Sequence, residues 1–391
     1  DIDMKKILIT LRHPGPVQAI VAVLPCLVKQ YEVTIIATDT GLSTLIMRFG
    51  EEIERVRVFY LYQNQWKIHS NQCEDWKNAD TLEFDYKAPK LDHLRDKLAE
   101  LILAVQPDVV LRTTPAIKIG IDEIIVEVCN RISSDIRCLC YQEDYGCGIA
   151  LERMQNPIAV VDIHAKQILK KASIKSVIVG CLGQSIYKKY KPYCVARSLA
   201  RRELGIQDDE CVILYSIGAS ISFELELEHF TAMLNRIDKH KIYYKFHPRN
   251  TDTQRKMIQD VSKGRAIMLP NFFPYEEAIS FPDFILSIAS ALNQDSLQYQ
   301  VECNEDELHT ISVYTQGEIS SAVLLSTLGV SELPHLKEGM GSIITNEEDI
   351  SDNTFDRMNV CLDALFSEVK QRFGISENER LDNLINYIEG V

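Results

Sequence analysis

Near its amino terminus the chain reads Lys6-Ile7-Leu8-Ile9-Thr10-Leu11, and the next residues are Arg12-His13-Pro14-Gly15-Pro16. The first stretch is a continuous apolar run, which is typical of a strand buried on both faces of a parallel sheet. The second is a polar loop with proline and glycine, which ends that strand. A helical pattern over residues 17–29 and a β-branched run over residues 32–37 follow. The sequence therefore predicts a strand, a helix and a second parallel strand.

The same alternation continues along most of the chain. Residues 62–86 show no clear periodicity, and we expect this stretch to form an excursion or flap outside the alternating strands and helices. Strands alternating with helices of this length predict parallel sheets, and we expect an α/β fold with two Rossmann-like domains. Further strands are predicted at residues 56–61, 107–112, 136–141, 211–215, 241–246, 283–286 and 309–314, and helices at 91–105, 117–131, 195–204, 223–236 and within 352–388.

The predicted domains are residues 1–190 and 191–375, followed by a carboxy-terminal helix at residues 376–391 that packs back on the first domain. We place the boundary between the domains within about residues 182–206, a segment that includes the basic, proline-interrupted stretch Lys188-Lys189-Tyr190-Lys191-Pro192. A solvated linker explains this basic patch, and peripheral association with the inner face of a membrane is the other interpretation.

Charge and composition narrow the class of protein. The 391 residues include 42 Lys and Arg against 56 Asp and Glu, a formal charge of −14, which argues against a nucleic-acid partner. No apolar run approaches the roughly 20 residues that span a bilayer, and no signal peptide is recognisable, so a cytoplasmic location is expected. The 11 cysteines form no Cys-x-x-Cys pair, and the spacing of Cys138, Cys140 and Cys147 fits no standard zinc pattern. Reduced thiols and no bound metal are therefore predicted.

Ligands of parallel sheets bind beyond the carboxyl ends of the strands, so the residues after each strand are the candidate site. Glu143 and Asp144 follow the strand at residues 136–141, where a carboxylate could accept a proton from a sugar hydroxyl. An acidic turn that caps the next helix explains the same two residues. His13 and Gly15, in the loop after the first strand, are candidates for binding an acceptor.

Cationic and hydroxyl side chains follow the strands of the second half. The stretch Lys245-Phe246-His247-Pro248-Arg249 places His247 and Arg249 where a phosphate could bind, although a plain His-Pro turn is the alternative. Ser287 and Ser290 follow the next strand, and either a phosphate site or a helix cap would use them. Gly218 and Ser220 give a similar, weaker signal. The nucleotide-binding candidates are Gly218, Ser220, Lys245, His247, Pro248, Arg249, Ser287 and Ser290.

Several standard motifs are absent from the sequence. The dinucleotide fingerprint Gly-x-Gly-x-x-Gly does not follow the first strand, and there is no P-loop, no Gly-x-Ser-x-Gly elbow and no His-Glu-x-x-His. No Asp-x-Asp stands where it would hold the metal of a sugar nucleotide. No cofactor and no metal are therefore predicted.

In order and placement these motifs resemble those of the bacterial sialyltransferases and polysialyltransferases with the GT-B fold. The resemblance rests on Glu143-Asp144, His247-Pro248 and Ser287 with Ser290. It implies a metal-independent, inverting transfer of an acidic sugar from a CMP-sugar to a glycan or glycolipid acceptor, as in polysaccharide biosynthesis. It also implies a GT-B-like α/β fold, in which the parallel sheets of the two Rossmann-like domains face each other across a cleft. The first domain would bind the acceptor and the second the nucleotide sugar.

The resemblance also implies a role for each motif. Glu143 or Asp144 would be the general base, and Tyr145, inserted before the glycine, leaves open which of the two acts. His247 would bind or protonate the phosphate, and Ser287 and Ser290 would hold it.

Three other functions fit the same motifs. They are a UDP-sugar transferase or sugar-nucleotide epimerase, a glycerophosphotransferase of the CDP-glycerol type, and a non-catalytic glycan-binding module.

Overall fold

The computed structural model describes residues 4–82, 91–113, 120–143, 156–328, 331–333 and 342–391. The chain divides into two compact units. Unit 1 comprises Asp1–Ile186 and Ile375–Val391, and unit 2 comprises Tyr187–Gly374. The sequence analysis placed the corresponding boundaries after residues 190 and 375.

Unit 1 is built on an eight-stranded sheet with the strand order β4-β3-β2-β1-β5-β6-β7-β8. Every pairing in it is parallel except that of β3 with β4. The strands are β1 (Lys6–Leu11), β2 (Glu32–Ala37), β3 (Arg57–Tyr62), β4 (Gln65–Ile68), β5 (Val109–Thr113), β6 (Arg137–Gln142), β7 (Ile158–Val160) and β8 (Ser176–Ile178).

The helices of unit 1 pack their apolar side chains against this sheet. One core cluster joins the buried Leu98 and Ile102 to Ile125 and to the strand residues Leu8 and Val110. The helices are α1 (Pro14–Gln30), α2 (Asp39–Phe49), α3 (Leu91–Val105), α4 (Ile121–Ile132), α5 (Ile163–Lys171) and, from the end of the chain, α14 (Glu377–Glu389).

Unit 2 contains a six-stranded sheet with the order β11-β10-β9-β12-β13-β14, and all its pairings are parallel. Its strands are β9 (Val212–Ser216), β10 (Lys241–Lys245), β11 (Ile267–Met268), β12 (Phe284–Ser287), β13 (Ile311–Thr315) and β14 (Ser342–Ile344). Its helices are α6 (Tyr193–Glu203), α7 (Phe223–Arg236), α8 (Asp252–Ser262), α9 (Tyr275–Ala278), α10 (Ala291–Glu302), α11 (Glu318–Leu328), α12 (Asp352–Met358) and α13 (Leu362–Phe373).

These two sheets confirm the predicted α/β class with two parallel-sheet, Rossmann-like domains. In each sheet the strand order reverses once. The reversal lies between β1 and β5 in unit 1 and between β9 and β12 in unit 2. Open parallel sheets bind ligands at such a reversal, outside the carboxyl ends of the strands. The fold therefore marks one candidate position in each unit.

The structure adds elements that the sequence analysis did not predict. Strand β4 occupies part of the expected excursion at residues 62–86, and β7, α5 and β8 follow the described part of the Glu143 loop. Strands β7 and β8 have only three residues each, which is too short for a periodic pattern. None of the helices in the described ranges has the combination of length and apolarity that crossing a bilayer requires.

The last helix, α14, belongs to unit 1 and is held there by polar contacts. The Tyr387 hydroxyl accepts a hydrogen bond from the Cys140 amide at 3.1 Å and lies 2.6 Å from the Pro157 carbonyl, to which it donates. Arg137 Nη1 donates to the Ile388 carbonyl at 2.6 Å. The buried Arg380 donates to the Ser185 hydroxyl at 2.8 Å. The chain end thus covers strands β6 and β7.

We expect Tyr387→Phe to lower the free energy of unfolding by about 1–3 kcal/mol, because it removes the partner of a buried backbone amide and of a buried carbonyl. Denaturant titration of the full chain measures the change. Tyr62→Phe is the control, since Tyr62 accepts only an exposed hydrogen bond from the neighbouring Gln63 side chain. Equal stability of the two variants would contradict this account of how α14 is attached.

Candidate functional site

A buried ionic cluster lies at the strand reversal of unit 1. Arg12 follows β1 directly and is fully buried, as is Asp122 in the first turn of α4. Arg12 Nε is 3.4 Å from Asp122 Oδ2, and Arg12 Nη2 is 3.5 Å from Glu123 Oε1. The Thr10 hydroxyl donates to the other oxygen of Asp122. One guanidinium therefore contacts two adjacent carboxylates at the end of the central strand.

A second guanidinium stabilises the same turn. Arg112, near the end of β5, donates from Nη1 to the Asp122 carbonyl at 3.0 Å. Glu123 Oε2 accepts the Gly120 amide at 2.7 Å, which caps the start of α4. Burial raises the pKa of Asp122 to about 7, although the Arg12 charge acts in the opposite direction. A carboxyl group with that pKa can hold or release a proton near neutral pH.

The predicted residues of unit 1 lie near one another. Glu143 follows β6, and a Cβ atom built on Gly15 would be 2.6 Å from its Oε2, so a larger residue at position 15 would displace this carboxylate. His13 is the extended residue just before α1. Asp144 lies outside the described residues. Gln142, beside Glu143, is fully buried, and its side-chain amide has no hydrogen-bond partner among the described residues.

In unit 2 a hydrogen bond joins the two strand ends at the reversal. Ser216, the last residue of β9, donates from Oγ to Ser290 Oγ at 2.7 Å. Ser290 in turn caps α10, because its Oγ accepts the Leu292 amide at 3.2 Å. The buried Ser287 accepts the Ser290 amide at 3.0 Å and donates to Asn293 Oδ1 at 2.7 Å. Ser287 thus shapes the loop from inside, whereas Ser290 is half-buried.

The loop after β10 presents His247. The His247 amide donates to Asn250 Oδ1 at 2.7 Å, and Asn250 Nδ2 donates to the Gly218 carbonyl at 3.0 Å, which ties this loop to the one after β9. The ring accepts the Arg249 amide on Nδ1 at 3.1 Å. A neutral ring that accepts on Nδ1 carries its proton on Nε2, so His247 offers one N–H donor.

The environment keeps the His247 ring neutral. Burial, and then the nearby cations of Arg249 and Lys245, lower its pKa to about 4. Burial and the neighbouring Arg255 also lower the pKa of Lys245. Pro248 and Arg249 are exposed. Ser220 is buried, and its hydroxyl has no hydrogen-bond partner in the described part of the chain.

A second buried polar network in unit 2 was missed by the sequence analysis. The Gly218 amide donates to Glu226 Oε1 at 2.9 Å, and the Tyr215 hydroxyl lies 2.7 Å from His229 Nδ1. His229 Nε2 is 2.6 Å from the Thr315 hydroxyl at the end of β13. Burial raises the pKa of Glu226 to about 7 and lowers that of His229 to about 4.

The polar residues that the sequence analysis did not select stand in patterns that ordinary loops and helices also show. Arg12 stands in the loop that was singled out, but His13 and Gly15 were chosen there. Asp122 and Glu123 form the acidic first turn of α4, which an inspection of helix starts as well as strand ends would have found. Glu226 and His229 are three residues apart on one face of α7, a spacing that ordinary amphipathic helices also show.

The solved structures similar to this chain include enzymes that act on UDP-sugars. UDP-GlcNAc 2-epimerase from Neisseria meningitidis, bound to UDP-GlcNAc, is 11% identical over 99% of this chain and 100% of that one, with a TM-score of 0.60. UDP-GlcNAc 2-epimerase from Rickettsia bellii is 12% identical over 99% and 97%, with a TM-score of 0.58. A glycosyltransferase from Rickettsia africae is 13% identical over 99% and 98%, with a TM-score of 0.59. No family model and no curated protein matches the chain.

These comparisons correct the sequence analysis. The fold is GT-B-like, as expected. The resemblance to CMP-sugar sialyltransferases is wrong, and so is the CMP-activated donor, because the similar structures compared with this chain include several UDP-GlcNAc 2-epimerases and none named as a sialyltransferase. The physical reason is that the motifs serve the fold. His247 accepts a backbone amide of its own turn, and Ser287 and Ser290 build the start of α10. Such residues do not distinguish one nucleotide from another.

Gly120→Ala is expected to disturb the cluster of unit 1, because the added Cβ would lie 2.7 Å from Arg12 Cδ and would overlap the guanidinium. We expect a loss of about 1–3 kcal/mol in unfolding free energy. The matched control is Gly183→Ala, whose Cβ would meet its neighbours at 3.5–3.6 Å. If both variants unfold at the same denaturant concentration, Arg12 is not packed as described.

His247 is expected to stay neutral to about pH 5, because its folded pKa of about 4 lies below the unfolded value of 6.5. The stability that this neutral ring contributes is fully present above pH 6.5 and is lost as the pH falls through 4. A ¹⁵N NMR titration, with the signal assigned from a His247→Gln variant, measures the pKa and the tautomer. A midpoint near 6.5, or a proton on Nδ1, would refute this environment.

Proposed function

We propose that this protein is an enzyme that binds a UDP-sugar and inverts the configuration at carbon 2 of its sugar. The observation that carries the proposal is the shared fold with UDP-GlcNAc 2-epimerases, one of them solved with its UDP-GlcNAc, over 99% of the chain. The strand-end chemistry of each unit supports it independently.

The loops at the strand-order reversal of unit 2 carry groups that could bind a diphosphate. His247 offers a neutral N–H, Ser290 offers a hydroxyl, and α10 begins at this point with the positive end of its dipole. Donors of this kind at the start of a helix favour phosphate oxygens. Because the ring of His247 is neutral, it would bind as a hydrogen-bond donor rather than as a cation. Ser287, which is fully buried and internally bonded, would position Ser290.

The reversal in unit 1 suits proton transfer. Epimerisation at carbon 2 by proton exchange takes a proton from one face and returns one to the other. The electron pair of the broken C–H bond forms a double bond to carbon 1 as UDP leaves, and the return of UDP and a proton reverses this step. The exchange requires groups that accept and donate protons near neutral pH. Asp122 has such a pKa, and Glu123 and Glu143 supply further carboxylates at the same sheet edge. Arg12 would stabilise negative charge there. We assign the proton-transfer role to this group of carboxylates, in which Asp122 is fully buried and Glu123 and Glu143 are half-buried.

A UDP-sugar transferase is the second candidate, because the Rickettsia africae glycosyltransferase shares the fold to the same degree. Both reactions would use the same nucleotide contacts. They differ in that only the epimerase exchanges the hydrogen on carbon 2 with solvent in the absence of an acceptor.

A nucleotide panel tests the donor. We expect UDP to raise the melting temperature of the chain, with CMP and CDP giving a smaller rise, because a ligand stabilises the state that binds it. His247→Ala should weaken UDP binding roughly ten- to hundredfold, the loss of one hydrogen bond to a charged group. His93→Ala, an exposed histidine on α3, is the matched control. Stabilisation by CMP but not by UDP would overturn the proposal of a UDP-sugar donor. No stabilisation by any nucleotide would indicate a non-catalytic module.

Proton NMR in D₂O tests the reaction. Incubation with UDP-GlcNAc should replace the hydrogen on carbon 2 by deuterium and should form the carbon-2 epimer. No acceptor is needed for this exchange, and no sugar should be transferred. Glu143→Gln should slow this exchange at least about tenfold while leaving UDP binding unchanged, since the carboxylate would act on the sugar and not on the nucleotide. UDP binding without any exchange would favour the transferase over the epimerase.

A further inference from the structure

Three metal-ligating side chains converge in unit 2, away from the strand ends described above. Cys194 Sγ is 3.0 Å from Glu305 Oε2 and 3.6 Å from His309 Nε2, and His309 Nε2 is 3.4 Å from Glu305 Oε2. In the described residues this is the one group of its kind. The sequence analysis predicted no metal from the spacing of Cys138, Cys140 and Cys147 and from the absence of standard metal motifs. It did not consider these three residues, of which Cys194 is far in sequence from the other two.

The spacing of these three atoms fits the edges of a coordination tetrahedron. Zinc binds sulfur at about 2.3 Å and imidazole nitrogen or carboxylate oxygen at about 2.0–2.2 Å, which separates neighbouring ligand atoms by about 3.3–3.6 Å. The observed separations of 3.0, 3.4 and 3.6 Å need only small side-chain adjustments. A thiolate, an imidazole and a carboxylate together are a donor set that favours zinc over magnesium or calcium.

The backbone that carries Glu305 and His309 is fixed by the end of α10. Asn304 turns the chain with a φ of 53°, and the Glu305 amide donates to the Gln300 carbonyl at 3.1 Å, as in a Schellman motif. The buried Gln300 side chain then accepts the His309 amide at 2.8 Å. Both ligands are therefore held by one residue of α10 and do not depend on a metal for their placement.

The third ligand is held just as firmly. Cys194 stands at the start of α6, after the fully buried Tyr193, whose ring stacks on His309 with centroids 5.9 Å apart. The Tyr193 hydroxyl is hydrogen-bonded to Thr310. On the other side of the imidazole, Glu307 Oε1 lies 3.8 Å from Nδ1.

We propose that Cys194, Glu305 and His309 form a binding site for a divalent ion of the zinc class, with solvent as the fourth ligand. Cys194 is exposed, and the side chains of Glu305 and His309 are 14% and 23% exposed, so an ion can enter and a water can complete the tetrahedron. Binding would deprotonate the thiol and release one proton to solvent. The bound ion would link the start of α6 to the loop between α10 and β13. This site is independent of the proposed UDP-sugar chemistry.

Cobalt titration of the full chain, without nucleotide and under anaerobic conditions, tests the site. We expect one equivalent of Co²⁺ to bind per chain and to produce a near-ultraviolet thiolate charge-transfer band together with the intense visible bands of a tetrahedral ion. Zn²⁺ should displace it stoichiometrically. Cys194→Ser should abolish the charge-transfer band, and His309→Gln should weaken binding at least about tenfold.

Cys73→Ser is the matched control, since Cys73 is an exposed thiol in unit 1 and should leave the titration unchanged. Circular dichroism and thermal melting of each metal-free variant check that the fold is retained, and Glu305→Gln supplies a third ligand variant should another misfold. Absence of the thiolate band in the wild-type chain would overturn the proposal. A band that survives in Cys194→Ser or disappears in Cys73→Ser would do the same.

Discussion

In both units the described strands pair in parallel, except that β3 and β4 pair antiparallel. The rest of the structure depends on the parallel arrangement. Parallel strands place all their carboxyl ends at one edge of the sheet, and the polar groups of the connecting loops collect there. In unit 1 the result is the buried cluster of Arg12 and Asp122, and in unit 2 the bridge between Ser216 and Ser290. Burying these groups is costly unless they are paired, so each sheet edge becomes a rigid polar surface on an apolar support.

The strands that the sequence predicts well are those buried on both faces. Strands β1 and β2 have the bounds predicted for them, because a central parallel strand is a continuous apolar run with polar loops at its ends. The short strands β7 and β8 carry no such pattern. The candidate sites follow the same logic. His247 and Ser290 were predicted because they stand in the loops that follow strands. The pairing of Arg12 with Asp122 was not predicted, because the two are 110 residues apart in sequence and only the strand order brings them together.

The same distinction explains why the sequence pointed to the wrong donor. The His-Pro and serine motifs are required by the turn after β10 and by the start of α10, where they bond to the backbone of their own loops. Selection between cytosine and uracil depends on contacts to the base, which sequence motifs at the phosphate end do not encode.

The central claim is that unit 2 binds the uridine diphosphate of a UDP-sugar at the ends of β9, β10 and β12. Hydrogen–deuterium exchange of the full chain with and without UDP tests it most directly, since exchange slows where a ligand protects backbone amides. The account predicts that UDP slows exchange in the loops around Gly218, His247 and Ser290, and that CMP protects them less. Unchanged exchange in these three loops, at a UDP concentration that saturates binding, would contradict it.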